Sequence, residues 1–313
     1  MFSWISLFIL HAVWPLLLLA AGCAGPHASL APAGDPEPEA VEINDAPAFQ
    51  QRANQCAAAS LASVLHWSGF QLSPQELEPL LYNPERQGTL QPSIKGSARR
   101  IGALPYEIQG KAELLAQLQA GIPVLVLLNK GLSWLPTWHY AVVCGLDPEQ
   151  GSLCLLDGGA EPRWISQGTC LRTWARADYC GLVVLSPGRL PAAADKSRYL
   201  NAVYALEQSG QYAQAEKGYQ AALSKWPGDL AGLLGRANCF YQLRELEKAE
   251  ACLRRATELH PGSAPAWNNL AQVLAEQGRK LEALQAAQKA VSMGEEHLEH
   301  YQQTWESILA PDN

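Results

Sequence analysis

Alanines recur every 34 residues through the last third of the chain. Ala215, Ala249 and Ala283 form one series and Ala222, Ala256 and Ala290 another, while Ala202, Ala237 and Ala271 keep the interval to within one residue. Pro227 and Pro261 repeat it as well. A side chain this small at a fixed place in each unit suits helices that cross closely, and proline suits the turn that separates units. Such a unit cannot bury its apolar face alone, so residues 195–294 are expected to stack as three helical repeats. Residues 295–313 are expected to form a capping helix and tail, more polar on the outside as a terminal unit must be.

The rest of the chain has a different texture. Phe2 to Leu19 is almost wholly apolar and runs into Ala20, Ala21, Gly22 and Cys23, so residues 1–22 read as an export segment. Residues 23–45 are rich in Pro and Ala with no apolar period, which predicts a tether rather than packed structure. Eight cysteines in an exported chain raise the question of disulfides. Apart from Cys23 and Cys56 six remain, an even number that permits pairing. A net charge of −7 gives no footprint for nucleic acid, and there is no GxxxxGK or GxGxxG loop, so no nucleotide cofactor is expected; His297 and His300, with Glu296 nearby, have i,i+3 metal spacing but read as a solvated helix face, so no metal is expected either.

Residues 46–191 read as an α+β domain, helices first and an antiparallel sheet second. A helix is expected from Cys56 to just before Gly69, and another after the capping box Ser73-Pro74-Gln75-Glu76. Further helices are read at Ser93–Ile101 and Lys111–Ala120, and strands at Pro123–Leu128, Trp138–Leu146, Ser152–Asp157 and Gly181–Leu185. Cys56 at a helix start feels the positive end of the helix dipole, which favours the thiolate. Centring the hairpin on Glu149 puts Cys144 opposite Cys154 and Ala141 opposite Asp157. On that register His139 and Asp157 share one face a diagonal step apart. Cys144 and Cys154 then form either a cross-strand disulfide or a pair of small core residues, and the same alternatives hold for Cys239 and Cys252 within one repeat. Nucleophile, base and orienter are the parts of a cysteine-protease site, with an upstream glutamine as a donor to the oxyanion. Trp134 and Trp138 flank the histidine, either as walls of a cleft or as hairpin packing.

Gln51 or Gln50 followed by Cys56 and an Ala/Leu helix, then the segment WHYAVVCGLD, resembles the bacteriocin-processing (double-glycine leader) peptidases, which are papain-like cysteine proteases. The segments PERQGTLQ and RTWARADYCGLVVLSPGRLP are similar to exported bacterial proteins that join such a domain to C-terminal tetratricopeptide repeats, the family whose period the alanines match. The resemblance implies Cys56 as nucleophile, His139 as general base, Asp157 as orienter and Gln51 (or Gln50) as oxyanion donor, with a peptide substrate and a protein partner on the repeats. Separately, the small residues before Cys23 resemble the lipobox of bacterial lipoproteins, so that Cys23 would carry the lipid and hold the protein at the envelope, facing the periplasm; a plain signal peptide or an N-terminal membrane helix is the alternative. Ala24 in place of the aspartate of inner-membrane retention favours the outer membrane. The family's Cys-Gly-Pro is Cys56-Ala57-Ala58 here. That departure leaves a second expectation, an inactive peptide-binding module with the repeats as scaffold.

Overall fold

The computed structural model describes residues 38–51, 55–83, 85, 88–293 and 297–310. The export segment, Cys23 and most of the tether lie outside these residues. Among the described residues, no helix is long and apolar enough to cross a membrane.

The chain enters with β1 (Val41–Glu42), followed by α1 (Cys56–Trp67), α2 (Pro74–Leu81), a small hairpin of β2 (Tyr82–Asn83) and β3 (Gly88–Thr89), and α3 (Gln91–Ile101). Next come β4 (Leu104–Ile108), α4 (Gly110–Gln119), β5 (Val124–Asn129), β6 (Trp138–Asp147), β7 (Ser152–Leu156), β8 (Arg163–Ser166), α5 (Gln167–Ala175) and β9 (Gly181–Leu185). The capping box forms as the sequence predicts: Ser73 Oγ accepts from Glu76 N at 3.3 Å, and Ser73 N donates to Glu76 Oε2 at 2.8 Å. The seven-stranded sheet runs β4-β9-β5-β6-β7-β8, with β1 also on β6, and every pairing is antiparallel.

Two sequence expectations are corrected here. Residues 41–43 are not tether. Val41 and Glu42 pair with Leu146 and Gly145, and Ile43 N donates to Cys144 O at 2.8 Å. The register of β6 on β7 is as expected away from the turn, with Val142 opposite Leu156 and Val143 opposite Leu155. Nearer the turn it slips, so that Gly145 faces Cys154 and Cys144 is the extra residue of a bulge. A Cβ at residue 145 would lie 2.8 Å from that of Cys154 and 2.9 Å from the carbonyl oxygen of Val41, which explains the glycine. Cys144 and Cys154 are therefore not a facing pair, and all seven described cysteines are free thiols.

The repeats follow as α6 (Lys196–Glu207), α7 (Tyr212–Lys225), α8 (Leu230–Gln242), α9 (Leu246–Leu259), α10 (Ala264–Glu276), α11 (Lys280–Met293) and α12 (Leu298–Leu309). Ala215, Ala249, Ala283, Ala222, Ala256 and Ala290 are all fully buried, as the interval requires. The N-caps keep the period too. Asp195, Asp229 and Ser263 accept from Arg198 N, Gly232 N and Ala266 N at 2.8, 3.0 and 3.3 Å.

The first repeat is built into the α+β domain. α6 packs along β4, the edge strand, whose Pro105 is the kind of residue an edge tolerates. Arg198 holds Glu113 through Nη1 and Nη2, at 2.9 and 2.6 Å, and donates to the Glu107 carbonyl at 3.3 Å. One continuous core runs from Ile43 through the sheet to Tyr199, Val203, Tyr219 and Cys239. A shared core predicts shared unfolding. Tyr199 is fully buried at this junction, and Tyr199→Ala should cost ~3–5 kcal/mol. Circular dichroism and sheet-domain tryptophan fluorescence should still report one common urea transition.

Candidate active site

Cys56 is the first residue of α1, whose first turn carries no acidic side chain to oppose a thiolate. Gln55 fixes this helix start by donating to Glu78 Oε2 of α2 at 2.6 Å. Burial alone would raise the Cys56 pKa. Hydrogen bonds with the His139 ring and the Tyr140 and Ala57 backbone N–H groups, with the charge of His139, outweigh it and hold Cys56 below the ordinary thiol range. The other six described cysteines go the other way. Burial raises Cys144, Cys154, Cys170, Cys180, Cys239 and Cys252, so the hydrogen bonds and the charge of His139 set Cys56 apart from the rest.

β6 supplies His139 one residue after it begins, opposite Leu128 of β5. Its Nε2 meets Asp157 Oδ1 in an ion pair, and the ring also hydrogen-bonds the Cys56 thiol. Asp157 directly follows β7, where the unshifted part of the register brings it to the His139 side of the hairpin. Burial disfavours the charged ring, but Asp157 and Cys56 outweigh that and push His139 up to about 9. Burial would likewise raise Asp157, yet hydrogen bonds from His139 and Lys130 hold it well below the usual carboxylate range.

Lys130 and Arg163 carry no functional signal in the sequence, and both belong to this cluster. Lys130 Nζ lies 2.7 Å from Asp157 Oδ1 and Arg163 Nη2 lies 2.5 Å from Oδ2. The carboxylate is only 8% exposed and meets three cationic groups from three parts of the sheet. No spacing rule announces this, because the partners are 27 and 6 residues from Asp157 in sequence.

Of the two glutamines, Gln50 is exposed, and Gln51 sits at the turn after Asp157. Gln51 N donates to Gly158 O at 3.2 Å. A Cβ on Gly158, whose φ is +96°, would lie 2.6 Å from Gln51 Oε1, so this glycine leaves the room the amide occupies. Ala57 and Ala58, where the related motif has Gly and Pro, are buried in the core. His66 is committed elsewhere, 3.1 Å from Leu72 O and edge-on to Phe49.

Before the histidine, Asn129 shapes the loop 131–137. Its Oδ1 accepts from Gly131 N and Thr137 N at 2.9 and 3.0 Å, and its Nδ2 donates to Leu132 O at 3.3 Å. Leu132 and Leu135 exchange backbone hydrogen bonds, which makes the loop a miniature hairpin. Trp134 at its tip is 78% exposed and Trp138 is 53% exposed, so neither packs the hairpin. Among the described residues, no cluster of His, Cys, Asp and Glu is arranged to hold a metal ion.

Residues 43–178 match the Peptidase_C39 like family. The first domain is a C39-like α+β domain. Behind the peptidase domain, two tetratricopeptide-repeat families match residues 206–268 and 252–285. A Bacillus anthracis protein described as a C39-like peptidase aligns at 17% identity over 47% of this chain and 98% of its own, with a TM-score of 0.41. The Yersinia enterocolitica type III secretion translocator chaperone SycD aligns at 19% identity over 36% of this chain and 91% of its own, with a TM-score of 0.35. No curated protein matches the chain. Asp157→Asn in the peptidase domain should lower His139 from about 9. The Cys56 midpoint should rise with it, read as thiolate ultraviolet absorbance against pH after subtracting a Cys56→Ser control.

Proposed function

We propose that the protein is a cysteine peptidase in which Cys56, His139 and Asp157 cleave a peptide bond. The observation that carries this reading is the Cys56–His139–Asp157 chain: one lowered thiol, hydrogen-bonded to an imidazole that is itself paired with a buried carboxylate. The resting site is then a thiolate–imidazolium pair. The thiolate attacks the scissile carbonyl carbon, and the oxyanion takes hydrogen bonds from the Cys56 N–H and the Gln51 side-chain amide. His139 delivers its proton to the leaving nitrogen, the C–N bond breaks, and an acyl-enzyme remains. Neutral His139 then takes a proton from water, the hydroxide attacks the thioester, and the acid leaves as the thiolate is restored. Asp157 keeps the ring turned to the sulfur throughout.

The pH dependence follows from the signs of the two shifts. Alkylation of Cys56 by iodoacetamide should rise as pH passes its lowered pKa and stay high above it, because the thiolate persists. Peptide hydrolysis should fall above about 9, where His139 loses the proton the leaving group needs. At near-neutral pH, His139→Ala should slow alkylation, because the thiol returns toward its ordinary pKa and the thiolate fraction falls. A Cys56 that reacts no faster than a free model thiol, and is unaffected by His139→Ala, sinks the peptidase reading in favour of a peptide-binding module.

The location proposed for this activity is the cell envelope, with Cys23 acylated, the protein facing the periplasm and the outer membrane as its home. The support is the sequence alone: an apolar run that stops at small residues before Cys23, then a Pro/Ala-rich tether. Mass spectrometry of the mature N-terminus should find diacylglycerol on Cys23, and an unmodified Cys23 refutes the anchor.

A further inference from the structure

Glu207, the last residue of α6, is a carboxylate taken almost wholly out of water, at 3% exposure. Neutral donors meet both of its oxygens. The Tyr219 hydroxyl of α7 donates to Oε2 at 2.6 Å, and Asn238 Nδ2 of α8 donates to Oε1 at 2.5 Å. Burial and the carboxylate beside it push the Tyr219 phenol up, so the hydroxyl keeps the proton it donates. With both oxygens accepting, the arrangement suits the ionised acid. Yet among the described residues no cationic side chain pairs with Glu207. Glu216 and Glu250, whose side chains are each 14% exposed, are compensated in the ordinary way, by Arg236 and by Arg254 with Arg279.

Repeat packing does not call for this charge. One period on, the places of Glu207, Tyr219 and Asn238 hold Tyr241, Leu253 and Gln272, and two periods on the first two hold Ala275 and Ala287. The same helix crossings are thus made without a carboxylate. Gly235 belongs to the arrangement as well. A Cβ there would lie 2.2 Å from the Tyr219 ring and 2.6 Å from its hydroxyl, so the glycine is what lets the phenol reach Glu207. Asn201 and Asn269 hold that place in the units on either side.

The carboxylate borders a cleft of about 340 Å³. Leu200, Ala231 and Leu234 give it apolar walls, and Asn201, Tyr204 and Asn269 add polar groups. We propose that this cleft binds an aliphatic ammonium group, its charge on Glu207 and its carbon chain against Leu200 and Leu234. An ammonium supplies the positive charge that the buried carboxylate lacks. It brings only donors, and a carboxylate has about four acceptor positions, of which Tyr219 and Asn238 fill one each. Its alkyl stem suits the apolar walls. A free alkylamine and a lysine side chain share this chemistry. The site is independent of the peptidase reading.

The test titrates the full chain with n-pentylamine, and with n-pentanol as a neutral ligand of the same length, followed by saturation-transfer NMR. The amine should bind at least about tenfold more tightly than the alcohol, the factor that a hydrogen bond between charged groups supplies at the low end of its range. Glu207→Gln keeps the shape of the side chain and should erase the difference. Ala231→Phe, at an exposed position on the cleft wall, should abolish amine binding at an unchanged melting temperature, and it carries the test alone if the glutamine variant does not fold. Nα-acetyl-lysine N-methylamide separates the two sources: binding at least as tight as that of the amine assigns the site to a lysine side chain, and weaker binding assigns it to a free amine. Equal binding of amine and alcohol overturns the proposal. So does amine binding that survives Glu207→Gln or Ala231→Phe, which leaves Glu207 as a tie between α6, α7 and α8 and nothing more.

Discussion

The pairing of β6 with strands on both sides is the constraint on which the rest depends. From Trp138 to Val143 it is held by β5, and beyond that by β1, with β7 along its other edge. This fixes the depth of His139 in the sheet and brings Asp157 beside it. The bulge at Cys144 absorbs the turn's geometry without disturbing the far register. A slip of one residue carried through to the far end would send His139 to the opposite face and separate it from the carboxylate. Gly145 is part of the same constraint, since Cys154 and Val41 approach too closely there for any side chain.

The electrostatics of the site follow from that placement. Asp157 is a nearly buried carboxylate that meets His139, Lys130 and Arg163. A charge taken out of water at this depth is costly without compensation, and these groups provide it. Lys130 also lowers the basicity of His139 while Asp157 raises it, so the ring is held between opposing influences. Cys56 inherits the result. It is half-buried, as Cys180 and Cys252 are, and a neighbouring imidazole and backbone donors make it the exception.

The repeats are not an appended module on a free linker. α6 covers the exposed edge of β4, a strand edge that would otherwise invite pairing with another chain. Apolar side chains from both regions merge in one core, and the Arg198–Glu113 pair closes the seam. The repeats therefore stand at a set position relative to the Cys56 site, which a flexible tether would not achieve.

Regular periods are legible in the sequence because they report local geometry. The alanine interval announces helix crossings, and the capping box, the helix from Cys56 and the strand Gly181–Leu185 follow from short-range rules. The hairpin's far register is legible too, since strand alternation alone places His139 and Asp157 on one face. Other elements carry no such signal. Edge strand β4 contains a proline, β8 is four residues with little burial, and β1 lies in a stretch with the composition of a linker. By itself the sequence determined the two-part architecture and which Cys, His and Asp compete for a site, because periodicity and spacing along the chain encode them. Only the tertiary structure decided which groups surround Asp157, that Gln51 rather than Gln50 sits beside Gly158, that Cys144 is a bulge and not half of a facing pair, and that the repeats share the first domain's core. Each of these depends on contacts between segments distant in sequence, whose distances no local pattern contains.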